Sequence, residues 1–391
     1  MKETISYELE NVFGRKIMSL RDCIELSDDI YLKTNCRLNP NTLRRFFNLV
    51  KAEYSASKST LAILAKYCGF ESVNELCKVK NIEPFEMGTL NQDTVLHLLV
   101  SFFNGGSTII DDGPIYLSIA KNVIKFLNEN TFLTDRFQRM VSKFEKGRYY
   151  YFEKFVNIDK LNSFYGKGLR YYQLEEDTLD ARVFTASLYL FKHWLNAEDD
   201  ELINTAKNLK QLKIVRPLSN FTMARYYSAM LYYDNVAEIN SDATLLNIRD
   251  CYMDFITRED DIKNIYHFTS IISNALMLTG HYNELLFYTD QTNILIKEKY
   301  LQQYKNQDHY SLYLLLQAHA YYNTGNNKEA LKLYEQIKSS EFPFLKKQYS
   351  SILYISLLQK IKSKQSDIKR NSEFLALIKE TGFKRFSTCL K

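Results

Sequence analysis

Apolar positions in the amino-terminal part of the chain recur at steps of three and four, the period of helices that bury one face. In RDCIELSDDIYLKTN, residues 21–35, that spacing gathers Cys23, Leu26, Ile30 and Thr34 on one side and predicts an amphipathic helix. The turn CRLN follows. Asn39 directly before Pro40 predicts the next helix start, because an Asn side chain accepts from an exposed backbone N–H and proline at the first helical position forfeits no hydrogen bond. That helix is read across PNTLRRFFNLV. Ser57 or Ser59 opens a third helix over STLAILAKYC, Gly69 closes it as a left-handed cap, and Ser72 opens VNELCKVK.

The periodicity lapses over NIEPFEMGTLNQ, residues 81–92, where Pro84 and Gly88 break any helix, so a domain boundary is placed near 85. A second loop, NGGSTIIDDGP, spans 104–114. Beyond it the chain reads as helix after helix joined by short polar turns, with aromatic residues on much of the apolar face. The clearest unit is SLYLLLQAHAYYNTGNNKEALKLYEQIK at 311–338. Small Ala318 and Ala330 let two helices approach, Tyr321 and Tyr334 fill the contact with the neighbouring hairpin, and Gly325 turns the corner. These positions resemble the tetratricopeptide repeat (TPR), which implies stacked helical hairpins burying one continuous core. A weaker copy lies at 270–293, around Gly280 and Tyr282, with Leu276 and Leu285 in place of the aromatic and alanine. Segments between 164 and 240 keep the aromatic-plus-small pattern as divergent hairpins, with Gly166 and Gly168 read as a turn.

Composition narrows the class without changing this picture. Five prolines and twelve glycines in 391 residues leave few breakers for the turns of a sandwich or barrel, so helices are favoured. The expected fold is all-α: a small helix-turn-helix-like head at 1–85, a linker and loop region at 86–114, and an α-solenoid of TPR-like hairpins at 115–391, roughly six to eight helix pairs. The six cysteines form no CxxC pair and no cluster with histidine, so they read as buried thiols and no metal or cofactor is expected. The start MKETISYELENVFG has no apolar run after a basic region, and no stretch is long and apolar enough to span a membrane, so a cytoplasmic location is expected.

The net charge of +5 is too balanced for the whole surface to attract polyanions, and any such signal must be local. Residues 33–66 hold seven basic side chains, Lys33, Arg37, Arg44, Arg45, Lys51, Lys58 and Lys66, against the single acid Glu53, a local charge of +6. A helix with such a face suits the major groove, where phosphate contacts supply affinity and side chains at its start read base edges. The candidate DNA-binding residues are Asn39, Asn41, Thr42, Arg44, Arg45, Lys51 and Lys58. The other reading makes Arg44 and Arg45 a solvated face over a packed Phe46 and Phe47.

Residues 21–77 resemble the helix-turn-helix heads of phage-repressor-type regulators, in which a helix, a turn, a recognition helix and a supporting helix recur in this order. Such a head joined to TPR-like hairpins is similar to the peptide-responsive regulators of bacterial cell–cell signalling, which implies a peptide or protein ligand in the repeat groove. Operator symmetry adds the expectation of a homodimer. The functional expectation is a DNA-binding transcriptional regulator; the alternative is a TPR-like protein- or peptide-binding scaffold with no DNA role. Tyr226, Tyr227, Tyr232, Tyr233, Asn323, Asn326 and Asn327 enrich the repeats without declaring which of them line a groove. No enzyme is expected: GxGxxG, GxxxxGK[ST], HExxH and GxSxG are missing, and the six histidines are scattered. The acidic runs Glu175–Asp177 and Glu198–Glu201 read as hairpin ends.

Overall fold

The computed structural model describes residues 2–50, 56–70, 92–104, 114–212, 218–257, 262–299, 310–361 and 368–390, and among these the chain is all-helical with no strand. It divides into two compact units, Met1–Asn91 and Gln92–Lys391. The boundary near 85, the helix opened by Ser72 and most of the 81–92 linker lie outside the described residues.

In the first unit, α1 (Lys2–Phe13), α2 (Leu20–Thr34), α3 (Pro40–Phe46) and α4 (Lys58–Tyr67) surround one core. The face read from the sequence is the buried one: Cys23, Leu26 and Ile30 are fully enclosed, beside Leu43 and Leu64 from the two following helices. Ser19 and Asp22 form a reciprocal capping box that starts α2, and Asn35, in the left-handed region at φ 56°, ends it. Ser27 is buried and its hydroxyl donates to the Leu38 carbonyl, tying α2 to the turn before α3. Asn39 caps α3 by accepting from the Asn41 N–H at 2.8 Å, and Ser57 caps α4 by accepting from the Thr60 N–H at 3.2 Å. The helix read across 40–50 stops at Phe46, because Asn48 takes φ 57° and the Leu49 N–H turns back to the Arg44 carbonyl.

The second unit begins with α5 (Gln92–Ser101), which falls inside the stretch read as linker and loop. Leu96 and Val100, four residues apart, are buried on its inner side and hold it helical against α7. After α6 (Pro114–Glu129) and α7 (Thr131–Val141), a π-helical turn at Arg148–Lys154 packs Tyr150, Tyr151 and Phe152 inward. Next comes α8 (Phe164–Glu175). Gly166 and Gly168 lie inside it and make no turn. A Cβ at Gly166 would sit 2.0 Å from the Leu161 carbonyl oxygen, and one at Gly168 would sit 2.4 Å from the Gln138 side chain, so close approach is what requires glycine there.

The remaining helices are α9 (Leu179–Asn196), α10 (Asp199–Gln211), α11 (Asn220–Val236), α12 (Asp242–Thr257), α13 (Ile262–Leu278), α14 (Tyr282–Lys299), α15 (Tyr310–Asn323), α16 (Asn327–Gln336), α17 (Lys347–Ile361) and α18 (Ile368–Thr381). Each odd-numbered helix packs on the even-numbered one after it, and α9, α11, α13, α15 and α17 also pack successively on one another. In α15–α16, Ala318 and Ala330 are fully buried, Gly325 turns at φ 86°, and Tyr334 stacks on Tyr354 of the next pair with ring centroids 4.7 Å apart. The end of this succession meets its beginning. The Asp159 carboxylate accepts from the N–H groups of Gln348 and Tyr349, at 2.9 Å each, and so caps α17 from 189 and 190 residues away. Asn162 donates to the Thr381 carbonyl at 2.7 Å, and Arg385 donates to the Trp194 carbonyl at 2.6 Å.

Candidate functional site

Five of the predicted contact residues lie along α3, from its cap to its last turn. Asn39, Asn41 and Arg45 are exposed, while Thr42 and Arg44 are half-buried. Leu43 and Phe46 point the other way into the core, so the short helix is held by its apolar side with its polar side outward. Arg44 donates from Nη1 to the Asn41 side chain at 3.1 Å, which draws its guanidinium toward the amino-terminal end of the helix. Among the described residues no carboxylate lies within ion-pair reach of Arg44 or Arg45. Lys51 and the side chain of Lys58 lie outside the described residues.

The rest of the basic segment divides. Lys66 is exposed near the end of α4. Lys33 pairs with Asp29 at 3.2 Å and stands over the Tyr67 ring at 4.8 Å, and Arg37 pairs with Asp28 at 3.4 Å. Two of the seven positive charges are thus neutralised by acids of α2. Asp29 also receives the Tyr67 hydroxyl, and burial together with this carboxylate raises the phenol well above its ordinary pKa. At the far end of α2, the Ser19 hydroxyl and the Met18 N–H hold the Asp22 carboxyl below the usual range.

The groove candidates of the second unit scatter. Tyr232 is buried between Phe191 and Trp194, Tyr233 lies under the Lys210 ammonium at 3.8 Å, Tyr226 and Tyr227 meet edge to face, and Asn326 caps α16. The acids read as hairpin ends find partners: Glu198 meets the His193 ring at 2.7 Å, and Asp199 pairs with Arg385. His319 is buried and bonds the Leu353 carbonyl at 2.9 Å. Among the described residues no three His, Cys, Asp or Glu side chains are grouped to hold a metal, and no helix is long and apolar enough to cross a membrane. Compared with known proteins, the chain matches no family model, no curated protein and no solved structure.

Proposed function

We propose that this protein is a DNA-binding transcriptional regulator in which α2, α3 and α4 form the helix-turn-helix and the second unit is a TPR-like array that senses a ligand or dimerises. One observation carries the reading: Asn39 and Asn41 at the start of α3 and Arg45 in its last turn are all exposed, with no carboxylate among the described residues to occupy the arginines. Asparagine is the side chain that bonds adenine in two places, and arginine does the same for guanine or neutralises phosphate. Leu43 and Phe46 fix the pitch of α3 against α2, so these side chains would meet a groove as one rigid set. The solenoid reading of the second unit is supported by the succession of helix pairs and by the Ala318, Gly325, Ala330 and Tyr334 positions of α15–α16.

A second reading has its own observation. Lys33 and Arg37 are neutralised by Asp29 and Asp28, as on a surface built for the protein's own stability, and a scaffold with no DNA role would need nothing more. Binding of the purified protein to its own upstream genomic fragments across a salt series separates the two. Regulator function predicts selective binding with a steep salt slope. Replacing both Arg44 and Arg45 with Ala should then lower the slope of log K against log salt by about 1.8, roughly 0.9 for each phosphate no longer neutralised. A folded protein that binds no fragment at low salt leaves the scaffold reading.

A further inference from the structure

Arg225 and Lys346 converge inside the second unit, and among the described residues neither is within ion-pair distance of a carboxylate. Two contiguous cavities, of about 140 and about 60 Å³, meet at these two side chains, walled by α9, α11, α13, α15 and the segments on either side of Val156 and Leu345. The Arg225 guanidinium lies over the Phe184 ring at 5.4 Å, and its Nε, sealed from solvent, has no hydrogen-bond partner. Ser187, 3% exposed, faces the smaller cavity with a hydroxyl that also has none. Among the described residues neither cation makes an ion pair or donates a side-chain hydrogen bond. Burial, and then the charge of Arg225, push the Lys346 ammonium down to about 8.

The nearby carboxylates, Asp159 toward Lys346 and Glu153 toward Arg225, partly offset the two charges without pairing with them, and each accepts other hydrogen bonds. Asp159 directs its two oxygens to the N–H groups of Gln348 and Tyr349, and Glu153 takes the Tyr172 hydroxyl at 2.7 Å. Glu153 is the one acid on the wall of the larger cavity, which also carries Lys121 and Lys154 beside Arg225 and Lys346. Water filling such a space could satisfy the orphaned Nε–H and hydroxyl, but it leaves two like charges face to face at low dielectric. An oxyanion removes both deficits at once, through charge-assisted hydrogen bonds from Arg225, Lys346 and Ser187. The volume admits a group of a few atoms and excludes a folded partner.

We propose that this cavity is a binding site for a small carboxylate- or phosphate-bearing ligand, whose oxyanion is held by Arg225 and Lys346 with Ser187 as a third donor. The site deepens the sensing half of the proposed function, and it rests on that reading only for its link to DNA. Its test therefore uses the full chain without DNA, so that failure of one reading is distinct from failure of the other.

Thermal unfolding and Trp194 fluorescence serve as readouts, because the single tryptophan packs at a tilt against Tyr232 of the cavity wall with centroids 5.4 Å apart. The probes are inorganic phosphate, acetate, and triglycine beside its carboxyl-terminal amide. At least one anion should give a saturable fluorescence change and raise Tm by roughly 2 °C or more near saturation. A response to triglycine but not its amide assigns a peptide terminus, and a response to phosphate alone assigns a phosphate ester. Arg225→Gln and Lys346→Met should abolish the response. Unliganded Lys346→Met should melt at or above the parent temperature, since an unmatched buried charge has been replaced by an apolar chain of similar length. Ser187→Ala, which leaves the charges alone, should weaken binding roughly tenfold. The site is overturned if no probe gives a saturable response, if the shifts persist in Arg225→Gln and Lys346→Met as a general salt effect, or if Lys346→Met lowers Tm while Ser187→Ala binds as well as the parent.

Discussion

Replacing Asp159 tests whether the second unit is held together where its early and late segments meet. The carboxylate caps α17 with two hydrogen bonds of 2.9 Å, and its own N–H donates to the Leu345 carbonyl at 3.2 Å. Hydrogen bonds from backbone amides to a charged acceptor contribute about 1.5–3 kcal/mol each. Burial opposes ionisation here and raises the Asp159 pKa despite both donors, so the lower end of that range applies. Asp159→Ala should therefore cost about 3 kcal/mol, which for a unit of this size lowers Tm by roughly 6 °C. Asp159→Asn keeps one carbonyl acceptor and should lose about half as much. Far-UV circular dichroism gives the melting temperatures, and amide hydrogen exchange gives the location: protection at Gln348 and Tyr349 should fall first. A Tm for Asp159→Ala within about 1 °C of the parent, with those two amides still protected, would refute the claim that this carboxylate joins the two ends.

Three further outcomes follow from single residues. Burial depresses the His319 pKa to about 4, against an ordinary value of 6.5. The unfolded chain therefore takes up a proton that the folded chain refuses, and about 3 kcal/mol of stability, complete above pH 6.5, should be lost as pH falls toward 4. His319→Gln can still donate to the Leu353 carbonyl, so urea unfolding across pH should show a flatter acid limb. Gly166→Ala should destabilise the second unit by 3 kcal/mol or more (on the order of the upper end for overpacking), because its Cβ would meet a backbone oxygen that no rotamer can move; an unchanged urea midpoint would contradict the packing of α8. Affinity of the cavity for its anion should fall as pH rises through about 8, where Lys346 loses its charge, approaching tenfold per pH unit, and Ser187→Ala, which keeps both cations, should show the same trend from a weaker starting affinity.

Local signals in the sequence were reliable where a helix start, a turn or a buried face depends on neighbouring residues. Asn39, Ser57, Gly69 and Gly325 do in the structure what their chemistry predicts, and Cys23, Leu26 and Ile30 face the core. Most of the readings that failed were decided by distant partners. The 86–114 stretch looked like a linker, but Leu96 and Val100 gain a surface on α7 that overrides the weak local pattern. Gly166 and Gly168 looked like turn residues because glycine is commonest there; here they admit the Leu161 carbonyl and the Gln138 side chain, which nothing near them in sequence announces. The truncation of α3 hangs on Asn48, a residue that tolerates the left-handed region yet gives no sign beforehand that it will adopt it. Arg225 left one usable trace: it shares its helix, NFTMARYYSAMLYYDNV, with a single other charge, and Ser228 follows three residues later on the same side. Lys346, in FLKKQYS, left none.

A missing counterion carries different weight in the two units. Arg45 is exposed, and in water an ion pair at 4 Å is worth only about 1 kcal/mol, so an unpaired surface arginine is a normal state of a protein. Its availability permits a phosphate contact and does not require one. Arg225 and Lys346 are half-buried residues whose charged ends are largely withdrawn from water, where screening is weaker and burial lowers the pKa of each. Two cations beside a cavity with an orphaned serine hydroxyl leave a deficit that a bound oxyanion would remove. The cavity is therefore the stronger of the two sites, and anion binding is the measurement to make first. A saturable ligand in the second unit would supply the effector to be added when the head is tried on DNA, while a cavity that binds nothing would overturn this anion site and leave the DNA reading to its own salt-series test.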